Sequence, residues 1–490
     1  MVRSFTGVML LVSALILPAI PASASSLSSG QHGSAGAAPA SAWAKAIEAP
    51  GSGALNKGGR AEITSVSCPS AGNCGAGGFY STATEKTQAF VVSEKGRSWG
   101  KAIEVPGSGA LNKGHEAQVV SVSCASAGNC SAGGFYRTGN FKTEAFVVSE
   151  KGGTWGRAIE VPGSGALNTQ GFAAIDSVSC TSGGNCTAGG YFANGPAGPT
   201  TRPTLAMVVR QTRGKWGKAV KVPGLAARKP SSQISSVSCT SAGNCVAVGG
   251  PTVDGGRGPE TGPAFIVADT NGIWRKAFAL PGSAAFHALV SEITSVSCTS
   301  AGNCSAGGYY DTDTGQQAFV VTEKNGRWGN AIEVPGLGTL NTGGFAQVNS
   351  VSCGAAGNCT AGGFYNTDTG QRAFLVSEKN GRWGNAIEVP GLGTLNTGGF
   401  AQVSSVSCTS PGTCSAGGYY SATSSAQAFV VTETTGTWGN AIKVPGSGTL
   451  NAGGGAQITS VSCASPDSCG AGGYFTDRSK HQQALVVSKG

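Results

Sequence analysis

The sequence predicts an all-β chain folded as one closed ring of eight blades, each a sheet of four antiparallel strands. Three observations carry that expectation. First, the phrase at residues 63–106, ITSVSCPSAGNCGAGGFYSTATEKTQAFVVSEKGRSWGKAIEVP, recurs along the chain. Its first cysteine falls at Cys68, Cys124, Cys180, Cys239, Cys298, Cys353, Cys408 and Cys463, at spacings of 55 to 59 residues. Trp43, Trp99, Trp155, Trp216, Trp274, Trp328, Trp383 and Trp438 keep step with them. A fixed period of this length belongs to propellers, solenoids or arrays. Second, each repeat holds four apolar runs of strand length, ITSVSC, NCGAGGFY, QAFVVSE and SWGKAIEVP in the first copy. Gly, Ser, Asn and Pro clusters separate them. No stretch after the first residues shows a sustained helical period, and four strands in this length match a propeller blade. Third, the ends are complementary. Trp43 to Pro50 reads as a fourth strand with no strands before it, and the chain stops after a third strand at Ala484 to Ser488. Joined, the two pieces make one blade and remove an open sheet edge, whereas an open stack gains nothing from the split.

Taken in order, residues 1–24 read as a secretory signal. Arg3 is its basic start, Gly7 to Leu17 its apolar run, and Ala22-Ser23-Ala24 its cleavage site. The apolar run is too short to span a bilayer comfortably, no later segment reads as a membrane span, and no cysteine near the cleavage site suggests a lipid anchor. Residues 25–42 are small and polar and read as a flexible leader. Residues 43–490 form the ring. The expectation is therefore a secreted, extracellular monomer.

Within each repeat the first two runs are rich in Ser, Gly and Ala, which suits the crowded position nearest the axis. Every cysteine belongs to a C-x5-C pair: Cys68–Cys74, Cys124–Cys130, Cys180–Cys186, Cys239–Cys245, Cys298–Cys304, Cys353–Cys359, Cys408–Cys414 and Cys463–Cys469. In a secreted chain these read as disulfides across the hairpin between strands one and two, each worth about 2 kcal/mol by the chain-entropy argument. A metal site needs four ligands at close spacing, and the chain has only 4 histidines.

The Gly77-Gly78 pair, Trp99 and Pro106 resemble kelch repeats. The turn Ser93-Glu94-Lys95-Gly96-Arg97-Ser98-Trp99 resembles the Asp-box turn of sialidase-like propellers, although it lacks the aspartate and is one residue short. The resemblance covers residues 43–490 and implies a propeller. Both families carry many unrelated functions, so it implies little about activity.

The net charge of +9 is spread over the repeats, with 12% charged residues and no Lys/Arg cluster, which argues against a nucleic-acid surface. Residues 326–348 are identical to residues 381–403. Near-equal blades offer repeated sites, which suits multivalent binding.

Ligand chemistry is expected on the face carrying the loops between strands two and three and between successive blades, because these are the longer and more variable ones. A polar ring precedes strand one: Glu62, Gln118, Gln233, Glu292, Gln347, Gln402 and Gln457, broken by Ala174. It could circle the channel mouth, although solvated strand ends explain it more simply. Aromatic pairs such as Phe79-Tyr80 and Tyr309-Tyr310 end strand two; sugar stacking is conceivable there, and core packing is favoured. Longer loops at 193–203 and 251–263 mark an irregular sector, where Arg202, Arg228, Lys229, Asp254, Arg257, Glu260 and His287 form the candidate ligand site. Surface drift explains that sector about equally well.

Catalytic motifs are mostly missing. No histidine cluster suits copper or zinc, and no arginine cluster with a tyrosine nucleophile is visible. Asp311-Thr312-Asp313-Thr314-Gly315 resembles the start of a calcium loop but lacks the later glutamate, so a hairpin turn explains it better. No cofactor is expected. The reading is a non-enzymatic propeller binding an extracellular glycan or a surface protein. The alternative is a carbohydrate-active hydrolase or lyase in residues 193–290, with Asp254 and Glu260 as paired carboxylates. A purely structural surface protein is a third possibility.

Overall fold

A computed structural model describes residues 42–194, 203–225, 231–251, 262–423 and 425–490. The signal at 1–24 and the leader up to residue 41 lie outside them. The described chain is an all-β ring of eight antiparallel sheets. In blade one the strands are Ala61–Ser70, Asn73–Ser81 and Thr87–Lys95, followed by the short pieces Ser98–Trp99 and Ile103–Glu104. Blades two to seven repeat this from Ala117, Ala173, Gln233, Ser291, Ala346 and Ala401. Blade eight has Ala456–Ser465, Ser468–Thr476 and Gln482–Lys489, and its fourth strand is Ile47–Glu48 from the other end of the chain. Ile47 pairs with Val486 and Glu48 with Leu485, and a further bridge joins Trp43 to Lys489. The ring closes as the split ends predict.

First strands of neighbouring blades touch all the way around, so they line the axis. An innermost strand has no sheet partner on its axial side, and its N–H groups there would be left unpaired. The Ser-Val-Ser-Cys segment solves this. Ser65 Oγ accepts from the N–H of Val122 in the next blade at 3.0 Å, and Ser67 Oγ accepts from Cys124 N–H at 2.9 Å. The same two bonds recur at every blade junction, sixteen in all, including the closing one from Ser460 and Ser462 to Val66 and Cys68. The Gly77-Gly78 pair has an equally local cause. A Cβ on Gly78 would lie 1.8 Å from Glu62 O at the bulge of strand one, and one on Gly77 would lie 2.6 Å from Val119 of the next blade.

A second belt runs further out. The fourth strand, expected as a single run, is interrupted between Trp99 and Ile103. There the Ala102 N–H turns away from its own sheet and donates to Pro50 O of the preceding blade at 2.7 Å. Seven equivalent bonds follow, from Ala158 to Pro106, Ala219 to Pro162, Ala277 to Pro223, Ala331 to Pro281, Ala386 to Pro335, Ala441 to Pro390 and Ala46 to Pro445. Between the belts the apolar side chains pack across blade junctions. One such core joins Ala49, Ala484 and Val486 to Ile63, Phe90 and Val92.

All eight disulfides form within C-x5-C pairs and no cysteine is free. The hairpin they cross lies against the turn after strand three, because Arg97 N–H donates to Gly72 O and Gly153 N–H to Gly128 O. Hairpins and the turns after strand three therefore share one face. On the other face an asparagine clamps each regular inter-blade loop. Asn56 Nδ2 donates to Gln482 O, and its Oδ1 accepts from Arg60 N–H, both at 2.8 Å.

Candidate functional site: clefts between the blades

Of the residues assigned to the irregular sector, Arg202, Arg228, Lys229, Asp254, Arg257 and Glu260 lie outside the described residues. His287 is described. It ends the 3-10 turn Ser283–Phe286 with a left-handed φ of 51° and is exposed. It stands where the regular blades carry the clamping asparagine.

The polar ring sits near the start of strand one and is largely engaged with its neighbours. Gln482 donates to Glu62, Gln233 and Ser235 donate to Glu292, and Tyr309 Oη donates to Glu292 at 3.0 Å. Gln316 donates to Gln347, Gln371 to Gln402, and Gln457 to Ser404. Gln118 faces Phe135 across the strand pair. Two residues along from the ring, at the bulge, Thr64 donates to Val119 O, and Thr294 and Thr459 make the equivalent bond. Asp176 holds this position in blade three. Burial pushes its carboxyl up to about 7, with the charge of Glu292 adding to the effect, and its Oδ2 has no partner. The aromatic pairs place their second member in the core, as with Tyr80, Tyr136, Phe192, Tyr365 and Tyr420. The Asp311–Gly315 stretch is the hairpin between strands two and three of blade five.

Four clefts among the described residues lie on the hairpin face, between adjacent blades. That is opposite to the face favoured by loop length. Their chemistry comes from the end of strand three, where a hydroxyl residue is followed by a carboxylate: Ser93-Glu94, Ser149-Glu150, Thr322-Glu323, Ser377-Glu378 and Thr432-Glu433. The hydroxyl of one blade meets the carboxylate and the tryptophan of the next. At the closing junction Trp99 Nε1 donates to Ser488 Oγ at 3.0 Å, and Ser488 Oγ donates to Glu94 at 2.6 Å. Between blades one and two, Trp155 donates to Ser93 and Ser93 to Glu150, at 3.2 and 2.9 Å. Between blades five and six, Trp383 donates to Thr322 and Thr322 to Glu378, at 3.1 and 2.7 Å. Burial raises the carboxyls of Glu94, Glu150 and Glu378, and the hydroxyl bonds pull them partly back.

Other junctions depart from this pattern. Between blades two and three, Gln211 replaces the carboxylate and donates to Ser149 at 2.7 Å, in a cleft of about 420 Å³. Between blades three and four, Arg210 replaces the hydroxyl; its Nη2 pairs with Asp269 and its Nη1 donates to Gly272 O at 2.9 Å. Between blades four and five the hydroxyl position is Ala268, and Glu323 Oε2 has no partner. Between blades six and seven, Glu433 Oε2 and Trp438 Nε1 are both unpartnered, and Lys379 lies near enough to lower the Glu433 carboxyl that burial raises. Between blades seven and eight, Lys489 takes the carboxylate position and donates to Pro466 O. Sequence reasoning did not single out these clefts. The signal was the repeated Ser/Thr-Glu pair, with Arg210-Gln211 and Ala268-Asp269 as its exceptions.

Fold and clefts define the molecule as a closed eight-bladed β-propeller with eight chemically graded junctions. No protein-family model matches the chain, and no curated protein matches it. Solved structures do. Sqt1 from Chaetomium thermophilum is 10% identical with a TM-score of 0.48, over 90% of this chain and 98% of that one. A protein of unknown function from Dyadobacter fermentans is 9% identical with a TM-score of 0.40, over 92% and 99%. An ulvan lyase of polysaccharide lyase family PL25 is 9% identical with a TM-score of 0.42, over 74% and 90%. These likenesses are of fold.

Proposed function

We propose that the protein is a secreted, non-catalytic propeller that binds an extracellular glycan or cell-surface partner through the clefts of its hairpin face. The observation carrying this reading is the groove between blades six and seven, lined by Ser377, Glu433 and Trp438, the hydroxyl, carboxylate and indole positions that bond to one another at three other junctions. Trp383 and Trp438 line this groove of about 410 Å³ with Arg382, Asn385 and Glu433. Indole faces and fixed hydrogen-bonding groups suit polyhydroxylated ligands, and repetition around a ring gives avidity to weak individual contacts. Eight disulfides support an oxidising compartment. Among the described residues no helix is long and apolar enough to cross a membrane. The kelch-like and Asp-box-like features agree with a propeller used for binding as readily as with one used for chemistry.

The test is a glycan array probed with the purified, disulfide-intact protein, run beside a polysaccharide-degradation assay. The expected result is retention on a defined glycan class without chain cleavage, weakened by Trp383→Ala. Turnover of a polysaccharide, lost on Asp254→Ala or Glu260→Ala, would overturn the reading in favour of a hydrolase or lyase.

A further inference from the structure

The junction between blades four and five differs from every other in what it lacks. At the hydroxyl position the residues in chain order are Ser93, Ser149, Arg210, Ala268, Thr322, Ser377, Thr432 and Ser488. Only Ala268 carries no polar atom. Two residues further along, where blade six has Lys379, blade four has Thr270. The anionic side of the junction is nonetheless kept. Glu323 and Asp269 are 8% and 3% exposed, both line a cleft of about 380 Å³, and Glu323 Oε2 and Asp269 Oδ1 have no hydrogen-bond partner. No Lys, Arg or His lines that cleft. Arg210 serves Asp269 on its other oxygen, whereas no donor reaches the buried Oε2 of Glu323; a buried carboxylate oxygen without a donor is unfavourable, so the arrangement is chemically incomplete. The cleft opens past Asn325 and Gly326, which are exposed.

The neighbouring junction shows what completes it. There Arg210, the residue equivalent to Ala268, lays its guanidinium between the Asp269 carboxylate and the carbonyl of Gly272. Glu323 and Gly326 are the counterparts of Asp269 and Gly272. Glu323 pairs across from Cys304 as Asp269 does from Cys245, and Gly326 N–H bonds to Gly302 O as Gly272 N–H does to Gly243 O. A Cβ on Gly272 would meet Arg210 Nη1 at 2.9 Å, whereas one on Gly326 would meet nothing within 4 Å. The space filled by a guanidinium at one junction is therefore open at the next, with carboxylate and turn glycine still in place.

We propose that the cleft between blades four and five binds a guanidinium group from another molecule, held by Glu323 and the Gly326 turn where Ala268 leaves room. A guanidinium suits the position because its planar set of donors serves a carboxylate and a carbonyl together. The group could belong to an arginine side chain of a protein partner or to a free guanidino compound. The inference concerns one junction and a cationic ligand, and it stands apart from the glycan reading.

Isothermal titration calorimetry on the full, disulfide-intact chain tests it with three probes: agmatine, an end-blocked Gly-Gly-Arg-Gly-Gly peptide, and the same peptide with citrulline for arginine. Saturable binding of agmatine or the arginine peptide is expected, and the citrulline peptide should be silent. Glu323→Gln should weaken binding roughly tenfold or more, the loss expected for a charged hydrogen-bond partner. Ala268→Arg should abolish it by supplying the guanidinium internally, as Arg210 does, without lowering Tm. Binding of both arginine-type probes means that the site reads the group from either source. Peptide binding alone assigns a protein partner, and agmatine binding alone assigns a free compound. The proposal fails if neither probe binds, if the citrulline peptide binds equally, or if Glu323→Gln binds as the unaltered chain does.

Discussion

The axis and the hairpin face follow opposite rules. At the axis all eight blades repeat Ser-Val-Ser-Cys and make the same two bonds to the next blade. At the hairpin face the hydroxyl, carboxylate and tryptophan positions make a complete chain of bonds at some junctions and are rewritten at others. The difference lies in what each position must satisfy. An innermost strand has backbone N–H groups with no sheet partner on the axial side, and in every copy serines of the neighbouring blade accept from them. The cleft groups are side chains, and the ring holds Gln211, Arg210, Ala268 or Lys489 at these positions in place of the usual residue, so replacing one leaves the ring intact while changing what the groove can hold. Uniformity marks closure of the ring, and variation marks the surface available for recognition.

The largest effect expected from breaking the first rule is at the closing blade. Deleting residues 25–42 should leave the unfolding midpoint nearly unchanged. Deleting residues 25–50 removes buried Trp43, Ala46 and Ala49 together with the Ile47–Glu48 pairing. The loss of the tryptophan packing alone should cost about 3–5 kcal/mol. Equal midpoints for the two truncations would mean that the ring does not depend on its N-terminal strand.

Much of this architecture was legible in the sequence, and the reasons are local. Cysteine and tryptophan spacing gave the blade count, the split fourth strand gave closure, and C-x5-C gave the disulfide pairing because only a hairpin brings such cysteines together. The function of the serines was not legible, because a bond from Ser65 to Val122 joins residues one whole repeat apart. Nor was the break in the fourth strand, since Trp-Gly-Lys-Ala-Ile reads as a continuous run until Pro50 O is seen to capture Ala102 N–H. The ligand face was expected from loop length, whereas the clefts on the hairpin face follow from where side chains of adjacent blades meet, which loop length does not report. Of the irregular-sector residues proposed for the expected ligand face, only His287 is described, and it stands where the regular blades carry a loop-clamping asparagine.

A single inner serine should matter next. Ser67→Ala removes the acceptor for Cys124 N–H beside the axis and should destabilise by about 1–3 kcal/mol, the cost of a buried donor left unpaired, as read by denaturant unfolding. The cleft network should be more tolerant. Thr322→Ala breaks the chain from Trp383 to Glu378 and should cost only about 0.5–1.5 kcal/mol. A loss as large as that of Ser67→Ala would erase the distinction between axis and cleft.

At Asp176 the expected effect is a pH dependence, read as a change in slope and not as a fixed loss. Its carboxyl is raised from 3.8 to about 7 by burial and by Glu292. Between those values the folded state holds a proton that the unfolded chain has released, so stability falls as pH rises through the window and levels off above 7. Burial raises the phenol of Tyr191, and the charge of Asp176 adds to that. Asp176→Asn should match the unaltered chain below pH 3.8 and exceed its Tm increasingly up to pH 7. A constant difference across that range would show that Asp176 does not titrate in the window.

Hydrogen–deuterium exchange at the Val and Cys amides of the eight Ser-Val-Ser-Cys segments addresses the belt itself. If neighbouring serines are their partners, all sixteen amides should exchange only through global unfolding. Ser67→Ala should then deprotect Cys124 while leaving Val122, held by Ser65, protected. Fast exchange at these amides in the unaltered chain, or no change at Cys124 in the variant, would contradict the account of how the blades are joined.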